Sequence, residues 1–190
     1  TTAGVQLWMQ AAAVDLDGRN GCDLLLGSKG KGAAVGWLEG PESPDDLAAW
    51  RYHPLRPAGW IMSLTPYDVD SDEDLDSVLS DREGKSRGIA WLENPGSTAN
   101  RNGDSWTEHS IGAAGRPVMF ADVGDVNGDG LADVVVAVKT VEIVVCLQRR
   151  GREWDEYVIP LDGKNLGDAK AAKLADLDGD GWMDILFTCE

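Results

Sequence analysis

A nine-residue acidic stretch occurs four times in this chain of 190 residues, and it limits the available folds more than any other feature. Its most regular copy is Asp176-Leu177-Asp178-Gly179-Asp180-Gly181-Trp182-Met183-Asp184, with carboxylates at positions 1, 3, 5 and 9 and glycine at position 6. The other copies begin at Asp15, Asp68 and Asp125, giving spacings of 53, 57 and 51 residues. A period of about 50 residues marks an array of stacked units, each burying its apolar face against its neighbours.

Around each acidic stretch the same strand-like segments recur. In the first unit they fall at 5–13, 23–27, 33–39 and 50–55, and in the second at 60–67, 77–80, 88–93 and 106–111. The third unit has them at 117–123, 134–138, 141–147 and 154–159, and the fourth has two, at 169–175 and 185–189. Two smaller repeats keep this register: Trp-x-x-His/Tyr at Trp50, Trp106 and Trp154, and Gly/Ala-Trp-Leu-Glu at Trp37 and Trp91. Four short strands per unit, separated by Gly, Pro and Asp turns, predict an all-β propeller of four-stranded antiparallel blades. The chain reads as one propeller segment, 1–190, of about three and a half blades at 5–55, 60–111, 117–159 and a partial 169–190. The apolar run Val134-Val135-Val136 suits a strand covered on both faces by neighbouring blades. Half a ring would leave strand edges open, so the expectation is a fragment of a ring of about six to eight blades, or two copies closing one ring. In the first unit, Ser43 and Pro44 are suited to cap and open a single helical turn.

The 43% hydrophobic content supports a sizeable core, and the net charge of −16 argues against a nucleic-acid backbone as partner. Cys22, Cys146 and Cys189 lack metal-site or disulfide-framework spacing and read as buried free thiols. No apolar run is long enough to span a membrane. Residues 1–10 lack the pattern of a signal peptide, which is expected to lie outside this chain.

Closely spaced carboxylates in a tight turn supply the hard oxygens that calcium requires. The candidate ligands are Asp68, Asp70, Asp72, Asp74 and Asp76 in the second loop, and Asp125, Asn127, Asp129, Leu131 and Asp133 in the third. The fourth offers Asp176, Asp178, Asp180, Trp182 and Asp184, with Leu131 and Trp182 contributing backbone carbonyls. An EF-hand is excluded, because its acidic position 12 is Leu26, Leu79, Val136 or Phe187 here. Position 6 asks for a residue that tolerates positive φ, which accounts for Gly130, Gly181 and Asn20. The second loop replaces both glycines with Ser71 and Glu73. The first has Arg19 at a ligand position, a guanidinium expected to pair with Asp15 or Asp17 in place of a metal, so Asp15, Asp17 and Asp23 are the weaker ligand set. Two to four Ca²⁺ ions are therefore expected.

Asp-x-Asp/Asn-x-Asp-Gly-x-x-Asp between two strands, at this period, resembles the FG-GAP/VCBS repeats that are also found in integrin α subunits. The resemblance implies structural calcium, an extracellular or exported location (periplasmic or cell-surface) and service as a binding scaffold for a carbohydrate or protein ligand. That family spans adhesion receptors, lectins and a few propeller enzymes. Two alternatives therefore stay open: part of a carbohydrate-active lyase or dehydratase, and a structural spacer in a multidomain surface protein.

Propeller connectivity puts the acidic loops on one face and the second-to-third and blade-to-blade connections on the other. The latter collect Lys29, Lys31, Arg56, Arg82, Lys85, Arg87, Arg116, Lys139, Lys164 and Lys170. Lys29, Lys31, Arg82, Lys85, Arg87 and Arg116 are the candidate contacts for an anionic glycan or protein ligand. No catalytic constellation is present in the sequence. His53 and His109 recur in register, as do Trp37, Trp91, Trp50, Trp106 and Trp154, and read as blade packing; Trp8, Trp60 and Trp182 break register and are candidates for sugar stacking.

Overall fold

The computed structural model describes residues 6–96, 98, 100, 105–140, 142–150, 152–161 and 166–190. The expectations for Val5, Val141 and Lys164 lie outside these residues. Among the described residues there are fourteen strands. In the first blade β1 (Leu7–Val14), β2 (Asp23–Lys29), β3 (Ala34–Glu39) and β4 (Arg51–Pro57) pair antiparallel in sequence order. The second repeats this meander with β5 (Ile61–Tyr67), β6 (Asp76–Asp81), β7 (Gly88–Glu93) and β8 (Thr107–Gly112). The third has β9 (Val118–Gly124), β10 (Asp133–Val138), β11 (Glu142–Arg149) and β12 (Glu153–Pro160), and the fourth is the pair β13 (Ala169–Ala175) and β14 (Asp184–Cys189). This is a partial β-propeller, as the sequence predicts. One expectation fails: the helical turn at Ser43 is replaced by successive turns, in which Asp46 N–H donates to Ser43 O and Ala49 N–H to Asp46 O.

The innermost strands of adjacent blades run side by side. Gln10 Nε2 donates to Met62 O at 2.8 Å, joining β1 to β5. Ser63 Oγ accepts the Ala121 N–H at 2.8 Å, joining β5 to β9. Phe120 and Ala171 form a parallel bridge from β9 to β13.

Three apolar cores lie between consecutive blades, and the period-2 alternation of the second strand feeds two of them at once. In β10, Val134, Val136 and Val138 pack with Val78, Ile89 and Trp91 of the second blade. Val135 and Ala137 pack the other way, with Ala172, Ile185 and Phe187 of the fourth. All five residues from Val134 to Val138 are fully buried, and burying a valine side chain contributes about 1.5–3 kcal/mol. The expectation of two covered faces is met. On β14 the outward face has no neighbour among the described residues: Leu186 is 52% exposed, whereas its equivalents Leu25 and Val135 are at 0%.

Candidate metal loops and the opposite face

The four acidic loops connect the first two strands of each blade, and their backbones agree. Positions 4 and 6 both have positive φ: Gly18 and Asn20, Ser71 and Glu73, Gly128 and Gly130, Gly179 and Gly181. The glycine-free second loop therefore adopts the same turn, with side chains held where they are strained. Position 4 therefore shares the positive-φ requirement of position 6.

This turn wraps the amides around the carboxylate of position 1. Asp125 accepts the N–H groups of Gly128, Asp129 and Gly130, and Asp176 accepts those of Gly179, Asp180 and Gly181. Position 9 has a second task. In every loop it accepts the N–H of position 2, from Leu16 to Asp23, Val69 to Asp76, Val126 to Asp133 and Leu177 to Asp184, at 2.8–3.0 Å. In the three full blades its other oxygen accepts the N–H of Gly40, Asn94 or Gln148 at the end of the third strand. Position 9 thus fastens loop, second strand and third strand together.

Asp15, Asp17 and Asp23 bring carboxylate oxygens within 4.8 Å of one another, and so do Asp68, Asp70 and Asp76, and Asp176, Asp178 and Asp184. The third loop, with Asn127 at position 3, makes the same hydrogen bonds as the fourth, Asn127 Oδ1 accepting the Asp129 N–H as Asp178 Oδ1 accepts that of Asp180. Position 5 stands outside these trios: Asp72, Asp129 and Asp180 accept the N–H of Asp74, Leu131 and Trp182. Asp74 itself lies against Gly96 of the next connection. Burial raises the pKa of Asp23, Asp70, Asp76 and Asp133, that of Asp76 to about 7, and crowding by other carboxylates adds to it. Backbone N–H donors pull Asp23, Asp76 and Asp133 back down.

These residues fit a hard divalent cation. The donor set is oxygen throughout, and Asp70 Oδ1 is buried without a hydrogen-bond partner among the described residues. Such an atom costs about 1–3 kcal/mol unless something compensates it. The first loop departs from expectation: Arg19 is exposed and, among the described residues, makes no ion pair with Asp15, Asp17 or any other carboxylate. An arginine does enter an acidic loop elsewhere, because Arg152 pairs with Asp70.

On the opposite face, several of the expected basic contacts are already engaged. Arg56 is buried and pairs with Asp81 at 2.8 Å and with Glu108. Arg116 pairs with Glu142 and Glu156, Lys139 with Asp168 and Lys170 with Glu190. Lys29 and Arg82 lie over the Trp60 ring, 4.3 and 4.7 Å from its centroid. Lys31, Lys85 and Arg87 are exposed and make no ion pair among the described residues. Lys85 lines two adjoining clefts of about 310 and 400 Å³, and Arg87 lines the larger.

The repeated aromatics are packing residues. His53 stacks on Trp37 and His109 on Trp91, each with centroids 4.5 Å apart, and each histidine bonds a glutamate, Glu39 or Glu93. Of the out-of-register tryptophans, Trp8 packs edge-on against Tyr52 and Trp182 lies against Gly128 of the neighbouring loop. The expectation of buried thiols holds only for Cys146, where burial raises the pKa to about 12; Cys22 is exposed and Cys189 half-buried.

Among the described residues no helix is long and apolar enough to cross a membrane. A search of curated proteins found no match. A family model for the FG-GAP-like repeat matches residues 68–136 and 125–187, the spans holding the second, third and fourth loops. With those matches covering more than half of the sequence, and loop and strands repeating in every blade, the chain belongs to the FG-GAP-like repeat family.

Proposed function

We propose that this chain is a calcium-stabilised propeller scaffold that works outside the cytoplasm, where it presents a binding surface. The observation that supports calcium most directly is Asp70, clustered with Asp68 and Asp76, whose Oδ1 is buried with no hydrogen-bond partner among the described residues. Loops of this kind hold calcium at roughly 10⁻⁴–10⁻³ M, a range met in extracellular fluids. At about a hundred times its dissociation constant, an ion stabilises the fold by about 2.7 kcal/mol per site. A thermal melt in excess calcium is expected to rise well above the melt in chelator. Identical melts would overturn the reading.

The binding surface is proposed to be the face opposite the loops. What favours it is that Lys31, Lys85 and Arg87 carry charge with no carboxylate partner among the described residues, Lys85 and Arg87 beside clefts, in a chain of net charge −16. The ligand class is anionic, an acidic glycan or an acidic protein segment. Reversing these three residues to Glu is expected to abolish retention on a sulfated-polysaccharide column at low salt; unchanged retention would refute it. The outward face of β14 is proposed to be covered by a further blade or a second copy of the chain, since its equivalents in full blades are buried.

A further inference from the structure

Arg152 sits in the turn between β11 and β12 of the third blade, with a φ of +68°. Its guanidinium reaches across to the second blade and bridges two carboxylates: Nη2 to Asp70 Oδ2 at 2.6 Å and Nη1 to Glu93 Oε1 at 2.8 Å. It also lies over Trp91, 5.6 Å from the ring centroid, the same tryptophan on which His109 stacks. The Asp70 side chain is only 4% exposed, and its other oxygen, Oδ1, is the buried atom without a partner. Among the described residues, no lysine or arginine pairs with a ligand-position carboxylate of the first, third or fourth loop. The second loop is also the most acidic, with Asp68, Asp70, Asp72, Asp74 and Asp76.

One carboxylate of the Asp68–Asp70–Asp76 cluster thus carries a fixed cation on one oxygen, while its other oxygen is buried with no partner among the described residues. We propose that Arg152 is the resident counter-cation of the second loop: it holds Asp70 in the ion-free protein and opposes a divalent ion there, so that filling this loop loosens the β11–β12 turn from the second blade. This deepens the calcium reading of the loops and rests on it. A guanidinium and a divalent ion sharing one carboxylate repel each other, and even in water that repulsion changes affinity by roughly tenfold. The coupling is reciprocal, so an ion that pays this repulsion weakens the hold of Arg152 by the same factor. The second loop then fills last, although it has the most carboxylates, and its filling alters the contact between two blades.

The test is a calcium chloride titration followed by amide NMR, which resolves each loop. Signals of Glu73 and Asp74 report the second loop, and those of Gly130 and Gly181 report the third and fourth. In the unmodified chain the second-loop midpoint is expected above the other two, with the Arg152 side-chain signal moving at that same midpoint. Arg152→Met keeps the aliphatic stem over Trp91 and removes the charge; it is expected to lower the second-loop midpoint roughly tenfold and leave the third and fourth unchanged. Arg152→Gln gives the same readout should the methionine variant not fold. Arg152→Lys, which keeps the charge, is expected to leave the midpoint near its original value. A second-loop midpoint that stays or rises in a folded neutral variant, while the third and fourth loops still bind, overturns this inference alone. If millimolar calcium moves no loop signal at all, the calcium reading falls and takes the inference with it.

Discussion

Ser71 and Glu73 occupy left-handed backbone, with φ of +63° and +75°, at positions where the third and fourth loops use glycine. A side chain there costs about 1 kcal/mol or more, and glycine removes that cost. Ser71→Gly and Glu73→Gly are each expected to stabilise the chain by about 1 kcal/mol in chelator, read as a shifted denaturant midpoint. A second residue-scale consequence concerns Asp76, whose carboxyl titrates near 7 because it is buried, with Asp70 and Asp72 crowding it. Its folded pKa lies above the unfolded value, so its contribution is fully present below about pH 4 and is lost as the pH climbs through 7. In chelator, stability should therefore fall by a few kcal/mol from acid to neutral pH, and calcium should flatten that slope by holding the charged form. Calcium uptake near pH 6.5 should also release protons, measurable as a buffer-dependent heat. The strain at position 6 was legible from Gly130, Gly181 and Asn20. The same demand at position 4 is visible only in the fold, where Ser71 takes the positive φ that Gly18, Gly128 and Gly179 take in the other loops.

At the scale of elements, neighbouring blades are tied through one repeated bond. The backbone carbonyl at position 2 of a loop accepts a side-chain amide from the next blade: Leu16 O from Asn100 Nδ2 at 2.8 Å, and Val69 O from Gln148 Nε2 at 3.1 Å. Gln148 also accepts the Ala132 N–H at Oε1, and its own N–H reaches Asp133. It therefore links the second and third loops from one buried position. Gln148→Ala leaves two buried backbone groups unpaired, so a loss of about 1–3 kcal/mol is expected in equilibrium unfolding. Strand order, the acidic loops and the Trp–His register were all readable in the sequence, since each repeats at the blade period. Asn100 and Gln148 were not readable: they differ in residue type and in offset from their strands, and only blade stacking shows that they do the same work.

For the whole molecule, the inner strands link blade to blade, and three cores fill the gaps between them. The outward face of β14 continues this pattern without a partner among the described residues, with Leu186 at 52% exposure. An apolar face left open favours association, so the chain alone should sediment above its 20.4 kDa monomer mass in calcium. Leu186→Lys is expected to return it to that mass. The sequence by itself determined the repeat, its period, the strand order, the shape of the loops and the all-β class, because each is set by residues close together in the chain. Tertiary structure alone decided that Arg19 stands in solvent while Arg152 reaches Asp70, and that Arg56 is buried while Lys85 and Arg87 have no ion pair among the described residues. Those outcomes depend on side chains from different blades meeting across a stacked interface, and no local pattern encodes where a long cationic side chain will find its carboxylate.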